Sequence, residues 1–359
     1  MKLSDLGEFG LIEKIRKSAA RPSPLVLTGI GDDAAVLRMS ASSPLLATTD
    51  MLIEGVHFDF RYTDFYSLGW KSAAANLSDI AAMGGLPRFC LTSLGIPPSV
   101  SVEEISEFYR GLNALLRAEG AVLVGGDTCS SLKGMVVSVV ILGEAKKKQV
   151  LTRAGAKPGD RIFVTGTLGD SAAGLELLRT GSRGKGQGAG KYSVSGERSG
   201  VKGKSKPSLL THYSLLISKH LRPVPRVEWG GKIATAGCAS SMIDVSDGLS
   251  SDLSHICGRS GVGASVYAEK IPLSPSLRKA AAQLGKSPLL YALSGGEDYE
   301  LLFTVPPAKI KKLLSLGLPV TEIGEITGTR KMLLVDGLGK KTLLRPTGYN
   351  HFAPSGRGE

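Results

Sequence analysis

Short apolar segments alternate with helical patterns in the first half of this 359-residue chain, and this alternation constrains the fold more than any other feature. Strands are predicted at Leu45–Thr49, Ala121–Val124 and Met135–Leu142, where aliphatic and β-branched residues lie together. A helix is predicted at 67–83, because a turn signal that begins at Gly84 ends its pattern. The first half therefore predicts an α/β domain.

The helical pattern at 101–119 is the clearest in the sequence. Ser101 and Glu104 are spaced as a capping box, in which each side chain bonds the backbone N–H of the other residue. Gly120 is placed to end the helix. Apolar residues recur at helical spacing and predict one buried face, at Val102, Ile105, Phe108, Leu112, Leu115 and Leu116.

The second half restarts the alternation. Strands are predicted at Arg161–Thr165 and Glu300–Val305, and a helix at Ser171–Leu178. A strand and turn are predicted at Met242–Gly248, followed by a helix that begins at Leu249. Short strand signals continue to the end, so this half indicates a second domain of α/β or α+β class.

The length and a hydrophobic content of 42% allow two compact domains. Charge replaces hydrophobicity at 146–149, so we predict an N-terminal α/β domain at 1–147 and a C-terminal α+β domain at 148–359. The sequence has neither a membrane-spanning apolar stretch nor a secretory signal, and we expect a cytoplasmic protein. The cysteines form no CxxC pair, and we interpret them as reduced thiols.

Half of the net charge of +12 lies in one segment. The segment 182–207 is rich in Gly, Ser and Lys, and carries seven basic residues against Glu197. Such a composition cannot bury apolar surface, so we predict a disordered insertion in the C-terminal domain. Nucleic-acid binding through this segment is an alternative, but a solvated loop is the more common outcome.

The familiar nucleotide and hydrolase motifs are absent. The nearest match to a Walker A loop ends at Gly203-Lys204-Ser205, but the first glycine of that motif falls on Arg198. The HExxH zinc pattern is missing, and no Ser-His-Asp arrangement stands out. A nucleotide would have to be bound by other means.

Aspartates stand instead at the ends of apolar segments, beside glycines or hydroxyl residues. Loops deliver functional groups at such places, although each aspartate alone could equally form a turn or cap a helix. A carboxylate-rich cluster that is poor in sulfur and histidine favours a hard cation such as Mg²⁺. The glycines of GGD at 125–127 would let backbone N–H groups approach a phosphate closely. The aspartates are Asp32, Asp33, Asp50, Asp79, Asp127, Asp244 and Asp247.

A series of motifs runs in order over nearly the whole chain: GIGDDAAVL, TTDMLIEGVHF, NLSDIAAMGG, VGGDT, LTRAGAKPGD, IDVSDGLSSDL, LSGGEDYELLFTV and TGYNHF. This series resembles the thiamine-monophosphate kinase family. That family belongs to the aminoimidazole ribotide synthetase superfamily. The resemblance therefore implies a two-domain fold whose N-terminal domain pairs across a homodimer. The insertion at 182–207 lies between matched motifs, so we expect it to leave the site intact.

The resemblance implies roles for the residues that match these motifs. Those implied for Mg²⁺ are Asp33, Thr48, Thr49, Asp50, Asp79, Asp127, Asp244 and Asp247. Those implied for ATP are Tyr109, Gly126, Asp127, Arg153 and Ser246, and those implied for the thiamine substrate are His57, Glu297 and Tyr349. On the residues alone, Tyr109 could instead be a core residue and Arg153 could pair with Asp160. His57 could be an ordinary loop histidine.

The implied reaction converts ATP and thiamine monophosphate into ADP and thiamine diphosphate. The acceptor phosphate has a second pKa of about 6, so we predict neither a general base nor a protein nucleophile. Several Mg²⁺ ions would neutralise both phosphates during a loose, in-line transfer.

Two kinds of rival function remain open at this point. One is another ATP-dependent enzyme of the superfamily. Selenophosphate synthetases carry a reactive Cys or selenocysteine with a Lys near the start, and the hydrogenase maturation factor ends in Cys. Neither feature occurs here. The other rival is a non-catalytic protein that binds RNA or a membrane surface through 182–207.

Overall fold

The computed structural model of this chain describes residues 14, 17–18, 23–28, 36–37, 45–145, 149–183 and 213–348. The chain divides into two compact units. The first unit comprises Met1–Val150, Leu177–Ser214 and Leu221–Gly231, and the second comprises Leu151–Glu176, Leu215–His220 and Lys232–Glu359. The predicted boundary at 147–148 lies outside the described residues and stays a prediction.

The first unit contains a four-stranded sheet. Its strands are β3 (Leu45–Ile53), β4 (Leu86–Ile96), β5 (Val122–Ser130) and β6 (Val136–Glu144). They lie in the order β3–β6–β4–β5, with β4 and β5 parallel and the other neighbours antiparallel. Two short strands that precede it, β1 (Val26–Thr28) and β2 (Val36–Leu37), pair with each other.

Two helices cover one face of this sheet, α1 (Phe65–Ala82) and α2 (Val102–Ala118). The capping box predicted for α2 is confirmed, because Ser101 Oγ accepts from the Glu104 N–H at 3.2 Å and Glu104 Oε2 accepts from the Ser101 N–H at 2.9 Å. Helix α1 begins earlier than predicted. The carboxylate of Asp64 caps it by accepting from the N–H of Ser67 at 2.6 Å.

Side chains alternate between the two faces of β3. Leu46 and Leu52 are buried on the helix-covered face, whereas Leu45, Met51 and Ile53 are exposed on the opposite face. The sheet therefore presents an open face with apolar side chains on it.

The second unit is built on a seven-stranded sheet. Its strands are β7 (Arg161–Thr165), β8 (Ser241–Asp244), β9 (Gly263–Tyr267), β10 (Leu301–Val305), β11 (Val320–Thr327), β12 (Met332–Val335) and β13 (Lys341–Leu343). The order is β13–β12–β9–β11–β7–β10–β8. Only the β9–β12 pair is parallel among these described strands. The C-terminal ends of β7 and β8 lie at the same sheet edge as the start of β10, because β10 runs antiparallel between them.

The helices of the second half surround this sheet or connect its strands. They are α3 (Asp170–Arg183), α4 (Ser214–Leu221), α5 (Val227–Ala236), α6 (Leu249–Ser260), α7 (Pro275–Gln283), α8 (Pro288–Ser294) and α9 (Ile310–Leu314). Leu253 and Ile256 of α6 are fully buried against Ile162, Ile243 and Leu302 of the central strands. This apolar contact fixes α6 directly behind the end of β8.

The mixed α/β fold class is confirmed, with two differences in the element bounds. Strand β5 continues through the GGD of 125–127, where we predicted that the strand had ended at Val124, because the parallel neighbour β4 supplies its hydrogen bonds. Helix α3 extends to Arg183, and the rest of the predicted insertion, 184–207, lies outside the described residues. Within the part of the chain that the structure describes, no helix is both long and apolar enough to span a membrane.

Candidate functional site

In the first unit, β3 and α1 bring three of the predicted metal ligands to one face. Thr48 Oγ1 donates to Asp79 Oδ2 on α1. Asp50 lies two residues after Thr48 and therefore points to the same face of the strand, where it is half-buried. Thr49 is exposed and points to the opposite face.

The sheet places Gly126 in the same row as Asp50. Gly126 lies opposite Thr92, Thr92 opposite Val139, and Val139 opposite Asp50. Asp50 and Gly126 are therefore three strand spacings apart, a distance of about 14 Å. A Cβ at position 126 would lie 1.9 Å from the Thr92 carbonyl oxygen, so only glycine fits there. Close packing of β4 against β5 thus requires Gly126, whatever its role toward a phosphate.

Asp127 follows Gly126 and is exposed on β5. Its Oδ1 accepts from the N–H of Thr128 at 2.8 Å, which fixes the side chain along its own strand. The structure does not bring Asp127 against the Thr48–Asp79 pair, since β5 and β3 are the two outer strands of the sheet.

His57 and Tyr109 have contrasting surroundings in the same unit. His57 Nδ1 accepts from the Ile53 N–H at 3.0 Å, which places the ring proton of the neutral imidazole on Nε2. Tyr109 is only 5% exposed, and its ring packs edge-to-face on Phe108. Burial raises the pKa of Tyr109. Its side chain is thus a core residue of α2, and the ATP contact implied for it stays a prediction.

The second unit gathers carboxylates at the end of β8. Asp244 is the last residue of β8 and is 2% exposed. After the turn, Asp252 Oδ2 accepts from the N–H groups of Asp247 at 3.2 Å and Gly248 at 3.0 Å. Burial, together with the nearby carboxylates of Asp244 and Asp247, raises the pKa of Asp252 to about 8. Asp252 was not among the predicted site residues, although an acid in the first turn of the predicted helix was a visible signal.

Glu297 lies in a loop that is bonded to the same turn. The Glu297 N–H donates to the Ser246 carbonyl at 2.8 Å, and the Tyr299 N–H donates to the Val245 carbonyl at 2.9 Å. Both Glu297 and Tyr299 adopt the left-handed conformation, with φ of 66° and 51°. Residues other than glycine adopt it uncommonly, and such residues cluster at functional sites. The implied substrate residue Glu297 and the implied nucleotide residue Ser246 are therefore held by one hydrogen-bonded pair of loops.

Asp298, the next residue of this loop, connects the loop to the start of α3. It is 8% exposed and accepts from the N–H of Gly169 at 2.6 Å and of Ser171 at 3.2 Å, at the start of α3. Burial raises the pKa of Asp298 to about 8, although the two backbone N–H donors favour the ionised form. Asp298 thus serves the loop and was not among the predicted site residues.

Arg153, Asp33 and Tyr349 are the remaining predicted residues. Arg153 is exposed, and Asp160 Oδ2 accepts from the Lys157 N–H and the Ser240 hydroxyl instead of pairing with Arg153. Asp33 and Tyr349 lie outside the described residues.

The chemical types of these donor groups fit a hard cation. Carboxylates and hydroxyls are the ligands that Mg²⁺ prefers, and the crowding of Asp244, Asp247 and Asp252 is a repulsion that a cation would relieve. Within the described ranges, no three His, Cys, Asp or Glu side chains converge closely enough to hold a metal ion.

Two family models match the chain. The AIR synthase related protein N-terminal domain matches residues 31–145, and the AIR synthase related protein C-terminal domain matches residues 157–336. Among curated proteins, the thiamine-monophosphate kinase of Aquifex aeolicus is 39% identical over 98% of this chain and 100% of its own length. That of Escherichia coli K12 is 38% identical over 97% of this chain and 98% of its own length.

Solved structures give the same result. A thiamine-monophosphate kinase from Stenotrophomonas maltophilia is 37% identical with a TM-score of 0.77, covering 94% of this chain and 98% of its own. AaThiL complexed with AMPPCP and TMP is 38% identical with a TM-score of 0.72, covering 98% and 99%. The hydrogenase maturation protein HypE, at 19% identity and a TM-score of 0.70, shares the fold alone.

Proposed function

Because this chain belongs to the thiamine-monophosphate kinase family, we propose that it transfers the terminal phosphoryl group of ATP to thiamine monophosphate and releases ADP and thiamine diphosphate. The observation that carries the proposal is the match to the Aquifex aeolicus enzyme, which spans both proteins almost from end to end. The ligands in the AaThiL complex, AMPPCP and TMP, support this pair of substrates.

The acceptor attacks directly in this proposal. Its phosphate oxygen is already deprotonated at neutral pH, so the protein supplies position and charge rather than a nucleophile. The roles proposed for the second unit are that Ser246 contacts the nucleotide and Glu297 contacts the acceptor. Their loops are bonded to each other, which supports a fixed spacing between the two substrates.

Mg²⁺ is the proposed cofactor. In the first unit Thr48, Asp50 and Asp79 share one face of the site and would hold one ion, whereas Asp127, on the opposite outer strand of the sheet, would hold another. In the second unit Asp244 and Asp247 would do so. When bound, the metal would offset the repulsion between the two phosphates. The hard oxygen donors support magnesium or manganese over zinc.

A homodimer is the proposed assembly, formed through the open face of the β3–β6–β4–β5 sheet. Leu45, Met51 and Ile53 are 56%, 54% and 37% exposed on this face. Apolar side chains gathered on one sheet face favour burial against a partner. Met51→Lys should shift the protein to monomers in sedimentation velocity, whereas Leu132→Lys, at a residue that is 99% exposed in the β5–β6 loop, should not. Wild-type protein that sediments as a monomer would exclude the homodimer.

The cytoplasmic location stays a prediction, and it is supported by four cysteines that are all unpaired thiols.

A coupled ADP-release assay tests the function. We expect turnover with thiamine monophosphate, much less with free thiamine, and none after exhaustive chelation of divalent metals. Equal turnover with and without thiamine monophosphate would refute the proposal.

A further inference from the structure

His220 is a buried histidine that the proposed reaction does not use. It lies in the last turn of α4, and its side chain is only 2% exposed. Its Nδ1 lies 3.3 Å from Glu297 Oε2 and 3.1 Å from Ser171 Oγ. The buried imidazole thus contacts the carboxylate that the proposed function assigns to the acceptor.

These contacts belong to a connected group of four residues, Glu297, His220, Ser171 and Asp298. Ser171 contacts His220 through its hydroxyl, while its backbone N–H is held by Asp298. Asp298 is the neighbour of Glu297 in sequence, so Glu297 is tied to His220, Asp298 is tied to Ser171, and His220 and Ser171 contact each other. The left-handed backbone of Glu297 is a strained conformation, which persists only where surrounding contacts such as these hold it.

Glu297 remains accessible while it is held. Its side chain is 27% exposed, compared with 2% for His220, so His220 contacts it from the protein interior. A carboxylate has two oxygens and about four acceptor positions, and it can accept from His220 and from a ligand together.

We propose that His220 is a positioning residue, which donates from Nδ1 to Glu297 and so orients that carboxylate toward the ring system of the phosphorylated acceptor. This inference rests on the proposed function, because it takes Glu297 as an acceptor-binding residue. His220 acts through Glu297 and touches neither phosphate.

Kinetics of paired variants test the role. His220→Leu removes the N–H donor and keeps an apolar side chain, and we expect the Michaelis constant for thiamine monophosphate to rise about tenfold or more. The Michaelis constant for ATP and the turnover number should change by less than about threefold, because only acceptor binding is affected. His220→Asn keeps an N–H donor at the same number of bonds from Cβ and should recover part of the loss. His255→Leu, the same change at an exposed position on α6, should leave all three constants unaltered.

A double-mutant cycle distinguishes positioning from a general structural role. If His220 acts through Glu297, His220→Leu should have little further effect on acceptor binding in a Glu297→Gln background. An undiminished effect in that background, or an equal rise for ATP, would overturn the role of His220. If the Leu variant does not fold, the cycle is run with His220→Asn under the same criteria. A wild-type enzyme that fails to use thiamine monophosphate would overturn the proposed function itself, whereas an active wild type with an unaltered His220→Leu variant would overturn only this inference.

Discussion

The two units hold their acidic residues in opposite ways. In the first unit, Asp50, Asp79 and Asp127 lie on a strand, a helix and a strand, and each is at least partly exposed. In the second, Asp252 and Asp298 are buried, and their carboxylates bond backbone N–H groups of turns. Each of these two buried carboxylates accepts from two backbone N–H groups, whereas Asp127 of the first unit accepts from one and is exposed. Changing Asp127 should therefore affect mainly catalysis, and changing Asp298 should also affect stability.

Asp127→Asn should have the largest effect and should be confined to catalysis. The amide keeps the size of the side chain but lacks the charge that a metal requires, so turnover should fall by about 100-fold or more. The free energy of unfolding should change by less than about 0.5 kcal/mol, because Asp127 is exposed. Coupled ADP release and urea unfolding measure the two quantities.

Glu107→Gln is the matched control, since it likewise replaces a carboxylate by an amide, on a side chain of α2 that is 46% exposed. It should alter neither quantity. Near-normal turnover in a folded Asp127→Asn variant would show that the phosphoryl-transfer site lies elsewhere.

Asp298→Asn, at a buried acid of the second unit, should change how the free energy of unfolding depends on pH. The pKa of Asp298 rises from 3.8 to about 8 on folding, so the native state binds a proton that the unfolded state releases between these values. The contribution of Asp298 to the free energy of unfolding is fully present below pH 3.8. It declines as the pH rises toward 8, by at most about 1.4 kcal/mol per pH unit. The Asn variant cannot ionise, and its curve of unfolding free energy against pH should be flatter.

Urea unfolding at several pH values between 5 and 8, with metals chelated, measures this slope. Asp252 contributes in the same direction, so the flattening should be partial. Asp336→Asn, an exposed turn aspartate of the same unit, should leave the slope unaltered. Parallel curves for Asp298→Asn and the wild type would contradict the difference between the two units.

His57→Ala should have a smaller effect, on acceptor binding. If His57 Nε2–H faces the acceptor, the Michaelis constant for thiamine monophosphate should rise about tenfold while that for ATP stays within about threefold. His255→Ala controls for the loss of an exposed imidazole. Equal changes for both substrates would remove His57 from the acceptor site.

Replacing 184–207 by a short Gly/Ser linker should have the smallest effect. We expect kcat/KM to stay within about twofold, because loop length has a low thermodynamic cost. A protein that binds RNA or a membrane surface through this segment would instead lose its salt-dependent binding. Loss of turnover in the shortened chain would show that the segment contributes to catalysis.

The sequence predicts elements whose signals are local. Helix α2 was predicted almost to its ends, because its capping box and apolar spacing act within a few residues. Strand β5 was predicted too short, since glycines disfavour strands and its hydrogen bonds come from β4. Aspartates at the ends of apolar segments were visible in the sequence. The roles of Asp298 and His220 were not, because their partners, Gly169 and Glu297, are far away in the sequence.

The pairing of β3 with β6 has a consequence for the order of folding. Leu45 pairs with Glu144 and Ile53 with Val136. The paired strands β3 and β6 are therefore much further apart in sequence than the paired strands β4 and β5. Contacts between distant segments form slowly, because closing a long loop costs entropy before any bond forms. We expect β3 to dock after the other three strands, so Asp50 should reach its place in the site among the last residues of the first unit.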